Sequence, residues 1–273
     1  MAFPIQFQFQ FQLFLFATLS IIVHGHGMSE EGLGFSYTAE KNGPEKWGSI
    51  SDDYSTCQSG ESQSPIDIIV KETTENKNLK TLTRKYKAVE ATFINHKYML
   101  ELHLGNAGGF NFDGKDYTLK QIHWHTPSEH TIDGQQYDAE GHLVHVASDG
   151  SKAVIAILYQ IGNADPIIAK LQGKLKELAK EKCGPNEISH IPAGKFNTQK
   201  LERNTRKYYH YVGSLTSPPC SETLNWIILG KVRSISKKQV ELLQDPLDST
   251  CKKNNRPVQP MNGRQVALYS ESH

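Results

Sequence analysis

Tyr117-Thr-Leu-Lys-Gln-Ile-His-Trp-His125 is a nine-residue run of β-branched, aromatic and alternating polar residues, and it reads as a strand. Side chains at i and i+2 of a strand share a face, roughly 6.6–6.8 Å apart along the backbone. His123 and His125 therefore point the same way, and so does Gln121. A third histidine follows at Glu140-Gly-His142, again with a polar residue two positions before it. Three imidazoles that converge on one ion, with the fourth position left to water, form the catalytic zinc pattern; a closed set of four ligands is structural. Gln121 and Glu140 are placed to hold the ring nitrogens that face away from the metal. Leu215-Thr-Ser-Pro-Pro-Cys220 adds a hydroxyl, Thr216, on a loop stiffened by two prolines.

Working outward, further short runs have the same character: Val89–Phe93, Met99–Leu104, Leu143–Ala147, Val154–Tyr159, Leu224–Ile228 and Gln265–Tyr269. Turn residues separate them, as in Asp113-Gly and Asp133-Gly, which predicts a large, mainly-β sheet. Two helices have readable ends. Asp165 caps one that starts with Pro166, carries Ile168, Leu171, Leu175 and Leu178 at helical spacing, and is expected to stop near Gly184. Ser236-Lys-Lys-Gln239 is a capping box that opens a second helix running through Leu243. With no repeat and no linker, residues 28–273 read as one domain.

The chain has 273 residues, with 30 Lys and Arg against 29 Asp and Glu, a net charge of +1. That balance argues against a nucleic-acid partner. Leu13–Val23 is an apolar run too short to span a membrane and is followed by His24-Gly-His-Gly27, so residues 1–27 read as a secretory leader. No second apolar stretch suggests a membrane anchor. Four cysteines in a secreted chain suggest disulfides, with three possible connectivities.

Together these words make the chain recognisable. Asn42-Gly-Pro-Glu-Lys-Trp47, Gln63-Ser-Pro-Ile-Asp67, Gln121-Ile-His-Trp-His125, Ser128-Glu-His130, Glu140-Gly-His-Leu-Val144, Leu215-Thr-Ser-Pro-Pro219, Trp226 and Asn254-Asn-Arg-Pro257 run in one order along nearly all of the expected mature chain. It resembles the α-class carbonic anhydrases, most closely their plant members. The resemblance implies a twisted, mostly antiparallel sheet of about ten strands with peripheral helices. It further implies Zn²⁺ on His123, His125 and His142, supported by Gln121, Glu140 and Asn254, and reversible hydration of CO₂ to bicarbonate by hydroxide formed on the metal. Thr216 would orient the nucleophile, its own hydroxyl donating a hydrogen bond to Glu129. Val144, Val154, Leu215, Leu224 and Trp226 would line the CO₂ pocket.

His96 falls at the place of the proton shuttle, with Lys97 the competing alignment, and Tyr37 and Asn42 would hold the connecting waters. Cys57 would pair with Cys220; of the states open to Cys183 and Cys251, pairing with each other is the expectation. His103, His130, His145, His190, His210 and His273 read as structural or surface residues. Some plant relatives serve as storage or nectar proteins, which makes a storage or defence role, with an ascorbate-linked side activity, the alternative reading.

Overall fold

The computed structural model describes residues 34–181, 188–202 and 205–271. The leader, Cys183, Gly184 and His273 lie outside them. Among the described residues no helix is long and apolar enough to cross a membrane.

The core is a sheet of 13 strands, most of them antiparallel. Lys115–His125 and Ala139–Ala147 lie side by side near its middle, with Glu140 opposite His125, His142 opposite His123 and Val144 opposite Gln121. Ala139–Ala147 turns back through Asp149-Gly150 into Lys152–Ile161. Gly150 sits at φ 82°, which its lack of a Cβ permits. On its far side Lys152–Ile161 pairs in parallel with Leu224–Leu229 and Arg233–Ile235. The sheet is thus mixed at the strand whose residues 153–159 are all buried, as expected for a strand covered on both faces.

One irregularity decides where the histidines go. On Lys115–His125 the buried apolar residues are Tyr117 and Leu119, then Ile122 and Trp124, so the alternation changes phase between them. The pairing shows why: Val144 is opposite Gln121 but His145 is opposite Leu119, which leaves Lys120 without a partner in that ladder. This is a β-bulge. It keeps all four apolar side chains on the core face, where each is worth about 2 kcal/mol when fully buried. It also turns Gln121, His123 and His125 to the other face. An unbroken strand would have placed the two histidines on the same side as Tyr117 and Leu119.

That core face is covered by the helix Pro166–Leu178, which buries Ile167, Ile168, Leu171, Leu175 and Leu178. Asp165 caps it, its Oδ1 accepting from Ile167 N (2.8 Å) and Ile168 N (3.1 Å). The helix ends at Leu178 instead of extending towards Gly184. Ala179-Lys-Glu181 offers no large apolar side chain to bury, and the last packing contact sets the end. The second helix, Lys237–Gln244, has the capping box expected from Ser236 and Gln239. Gln239 also exchanges hydrogen bonds with the backbone of Asp165 at 2.8 Å each, tying the two helix starts together.

Candidate metal centre

His123, His125 and His142 converge on one point. Their ring centroids lie 4.7–5.1 Å apart, and one nitrogen from each lies within 4.8 Å of the other two. Register produces this: His142 is directly opposite His123 across the ladder, and His125 is two residues further along.

The outer nitrogen of each ring is engaged by an acceptor. His123 Nδ1–H donates to Gln121 Oε1 (2.8 Å), His125 Nδ1–H to the Asn254 carbonyl (2.6 Å) and His142 Nε2–H to Glu140 Oε1 (2.8 Å). A carbonyl or carboxylate oxygen can only accept, so each ring must carry its proton there. The lone pairs of His123 Nε2, His125 Nε2 and His142 Nδ1 are thereby directed at one another. Two of these atoms are 3.1 Å apart, and His125 Nε2 is buried without a partner. Lone pairs facing each other in a buried site repel unless a cation lies between them. Nitrogens 2.0–2.1 Å from a tetrahedral ion are about 3.3 Å from each other, so the spacing suits zinc.

Burial holds all three rings neutral, as metal ligands must be. It is the largest cause of the drop in each pKa: His125 falls to about 4, His123 goes well below the ordinary imidazole value and His142 is lowered too. Glu140 is the hub beneath them. Burial works to raise its pKa, but the neighbouring His130 and His142 hold it well below the carboxylate range. Its Oε2 accepts from Glu129 N (2.9 Å) and His130 N (2.8 Å), and its Oε1 also takes His130 Nδ1 (2.6 Å). His130 Nε2 meets the Tyr211 hydroxyl at 2.7 Å, and Tyr211 reaches Ser64 Oγ at 2.9 Å. Both nitrogens of His130 are therefore occupied within the fold.

A cavity of about 160 Å³ opens over the three rings. Val144, Val154, Leu215, Trp226 and Thr216 line it, as do Tyr37 and Gln121. Leu224 is not on its wall but packs behind, in the same apolar cluster as Val154 and Trp226. Glu129 is buried, and burial is the main reason its pKa rises to about 7. The Thr216 hydroxyl is near enough to pull that value down, although Glu129 Oε2 has no hydrogen bond of full geometry. Glu129 Oε1 accepts from Arg256 N at 2.9 Å.

The remaining site residues are less uniform. His96 is half-buried outside the cavity lining, with Nε2 3.3 Å from Glu101 Oε2. Asn42 is exposed and donates to Gly34 O (3.2 Å), away from the cavity wall. Asn254 supports His125 through its backbone carbonyl, while its side chain accepts from Thr126 N at 2.9 Å. Cys57 and Cys220 form a disulfide, and Cys251 is a buried free thiol; its expected partner, Cys183, lies outside the described residues.

Sequence reading passed over Met99, Lys152 and Ser217 on the cavity wall. It also assigned nothing to Arg256, inside the quoted Asn254-Asn-Arg-Pro257. The buried Arg256 guanidinium donates to the carbonyls of Cys57 and Ser64 and to Gln63 Oε1, joining the disulfide segment to the backbone that holds Glu129.

The model of the eukaryotic-type carbonic anhydrase family matches residues 42–270. Alpha carbonic anhydrase 7 of Arabidopsis thaliana is 38% identical over 246 residues, covering 89% of this chain and 87% of its own. Among solved structures, dioscorin complexed with ascorbate is similar at a TM-score of 0.83 and 35% identity, over 87% of this chain and 98% of that one. The α-carbonic anhydrase of Thermovibrio ammonificans, in complex with the inhibitor sulfanilamide, gives 0.74 and 33%, over 85% and 98%. With the family model spanning nearly the whole described domain and relatives above 30% identity along its length, the chain belongs to the eukaryotic-type carbonic anhydrase family.

Proposed function

We propose that this chain is a secreted, zinc-dependent carbonic anhydrase that interconverts CO₂ and water with bicarbonate and a proton. The observation that carries the proposal is the set of three acceptor-locked imidazoles, whose lone pairs face one another in a buried site. His123, His125 and His142 would hold the ion. Zinc supplies a Lewis acid that brings the pKa of water down to near 7.

The chain's own residues do the rest. Thr216 lines the cavity over the rings with Glu129 as the hydrogen-bond acceptor for its hydroxyl proton, so the threonine oxygen keeps a lone pair for the attacking water. Val144, Val154, Leu215 and Trp226 offer CO₂ an apolar wall and few competing hydrogen bonds. The proton released must reach bulk solvent, and the half-buried His96, whose Nε2 is 3.3 Å from Glu101 Oε2, is the proposed carrier. Secretion is supported by the apolar leader and by the disulfide, which oxidising compartments favour.

Metal analysis with stopped-flow CO₂ hydration tests the reading: one zinc per chain and hydration well above buffer are expected. A zinc-free protein, or a zinc-loaded one without hydration, overturns it. The likeness to dioscorin complexed with ascorbate favours a second reading, storage with ascorbate binding. That reading takes precedence if the purified protein holds ascorbate but no metal.

A further inference from the structure

A larger cavity of about 570 Å³ lies elsewhere, at the edge of the opposite face of the sheet. Its position follows from strand alternation. On Lys152–Ile161, Val154 belongs to the apolar cluster beside the histidines, whereas Ile157 belongs to the core on the other face and lines this second cavity. Among the described residues on its wall are five cationic side chains, Arg84, Arg206, Lys207, Lys231 and Arg233, and no carboxylate.

The charges are incompletely balanced. Arg233 Nη2 is 2.6 Å from Asp165 Oδ2, Glu202 acts on Arg84, and Glu271 is 3.8 Å from Arg206 Nε. Among the described residues, five cations against those three carboxylates leave an excess of two around one cavity, in a chain whose total is only +1. The wall is also organised. The buried Arg84 donates from Nη2 to Thr205 Oγ1 (2.8 Å), and the Arg233 guanidinium lies 5.8 Å over the Tyr159 ring. Taking charge out of water costs several kcal/mol per ion unless partners offset it. Two of the cations, Arg206 and Lys231, are by contrast exposed at the mouth. Ile157, Leu201 and Leu229 supply an apolar floor.

We infer that this cavity binds a small organic dianion of the phosphomonoester class. Three observations select that chemistry. The excess of two charges matches a phosphomonoester, which carries about −1.5 to −2 near pH 7. Three of the five cations are arginines, whose fork of N–H donors suits the oxygens of a phosphate. The volume falls within the roughly 300–1,000 Å³ of small-molecule sites, larger than an inorganic anion needs, and the apolar floor gives the organic part a surface. The inference does not rest on the carbonic anhydrase reading, because the two sites occupy different faces and binding here needs no zinc.

Calorimetric titration of the full mature protein with phenyl phosphate, inorganic phosphate and uncharged phenol separates the contributions. Phenyl phosphate should bind with one-to-one stoichiometry and more tightly than either fragment, and its affinity should weaken with added salt. The double variant Arg206→Gln/Lys231→Gln changes only exposed side chains, so its thermal midpoint should match wild type while phenyl phosphate affinity falls about tenfold or more. CO₂ hydration at saturating phenyl phosphate should be unchanged, because the metal centre is not the site. Absence of binding, equal binding by the double variant, or inorganic phosphate binding as tightly as phenyl phosphate would each overturn the inference.

Discussion

His142 and His145 lie three residues apart on one strand, are both essentially without solvent exposure, and have different surroundings. His142 shares its face with His123 and His125. His145 lies on the core face against Phe110 and Tyr86, its Nε2 2.8 Å from the Tyr86 hydroxyl. Burial keeps both rings neutral, with His145 lowered to about 3. Burial and a depressed pKa therefore do not distinguish a metal ligand from a core histidine. Convergence does: His142 meets two other rings whose outer nitrogens are engaged by acceptors, and His145 meets none.

The two faces depend on the Lys120 bulge, since the same sequence as an unbroken strand would expose one of the two apolar pairs, and removing the pair beyond it is the strongest way to break the comparison. The double variant Ile122→Ser/Trp124→Ser takes away two such buried side chains, together worth roughly 3–6 kcal/mol. That is a large share of the roughly 5–15 kcal/mol by which a typical domain is stable. The double variant should be insoluble or lack a cooperative melting transition; a folded double variant that still binds zinc would show that burial of this pair does not set the facing of the histidines.

Next in size is the contrast between the two histidines themselves. His142→Ala should purify without stoichiometric zinc and hydrate CO₂ no faster than buffer, because two remaining nitrogens hold the ion poorly against water. Full metal content in that variant would place the third ligand elsewhere. Glu140→Gln should bind zinc about 10–100-fold more weakly, the usual loss when the partner of a ligand is removed; competition with a chromophoric chelator measures it.

His145→Phe, on the other face, should keep zinc and hydration at wild-type levels. It leaves the buried Tyr86 hydroxyl unpaired, so denaturant unfolding should show a loss of about 1–3 kcal/mol.

The effect smallest at neutral pH is on pH dependence. His145 has a folded pKa of about 3 and an ordinary imidazole value when unfolded. Between these two values the unfolded chain binds a proton that the folded chain refuses. Stability is therefore complete above about pH 6.5 and declines as pH falls towards 3, by at most about 1.4 kcal/mol per pH unit from this residue. His145→Phe should show a shallower decline over that window in chelator-treated protein. Identical slopes would mean that His145 is already charged in the folded state.

Much of this was legible in short stretches of sequence. Period-two alternation placed Gln121 with His123 and Glu140 with His142, and a capping residue with a proline or a capping box located the starts of both helices. These features depend on neighbours within three or four positions, so the local sequence contains what is needed to read them. The bulge was also written in the chain, as the change from Tyr117 and Leu119 to Ile122 and Trp124, and reading the run as one unbroken strand missed it.

What needed the tertiary structure were contacts between distant parts of the chain. Arg256 reaches Glu129 across 127 positions and Cys57 across 199, and Tyr211 meets His130 across 81. Parallel pairing of Lys152–Ile161 with Leu224–Leu229, the end of the first helix at Leu178, and the five cations around the second cavity belong to the same class. Backbone geometry and side-chain type determine which way a residue faces on its own strand. Which residue meets it there is decided by how the whole chain packs, because no local rule links positions a hundred residues apart.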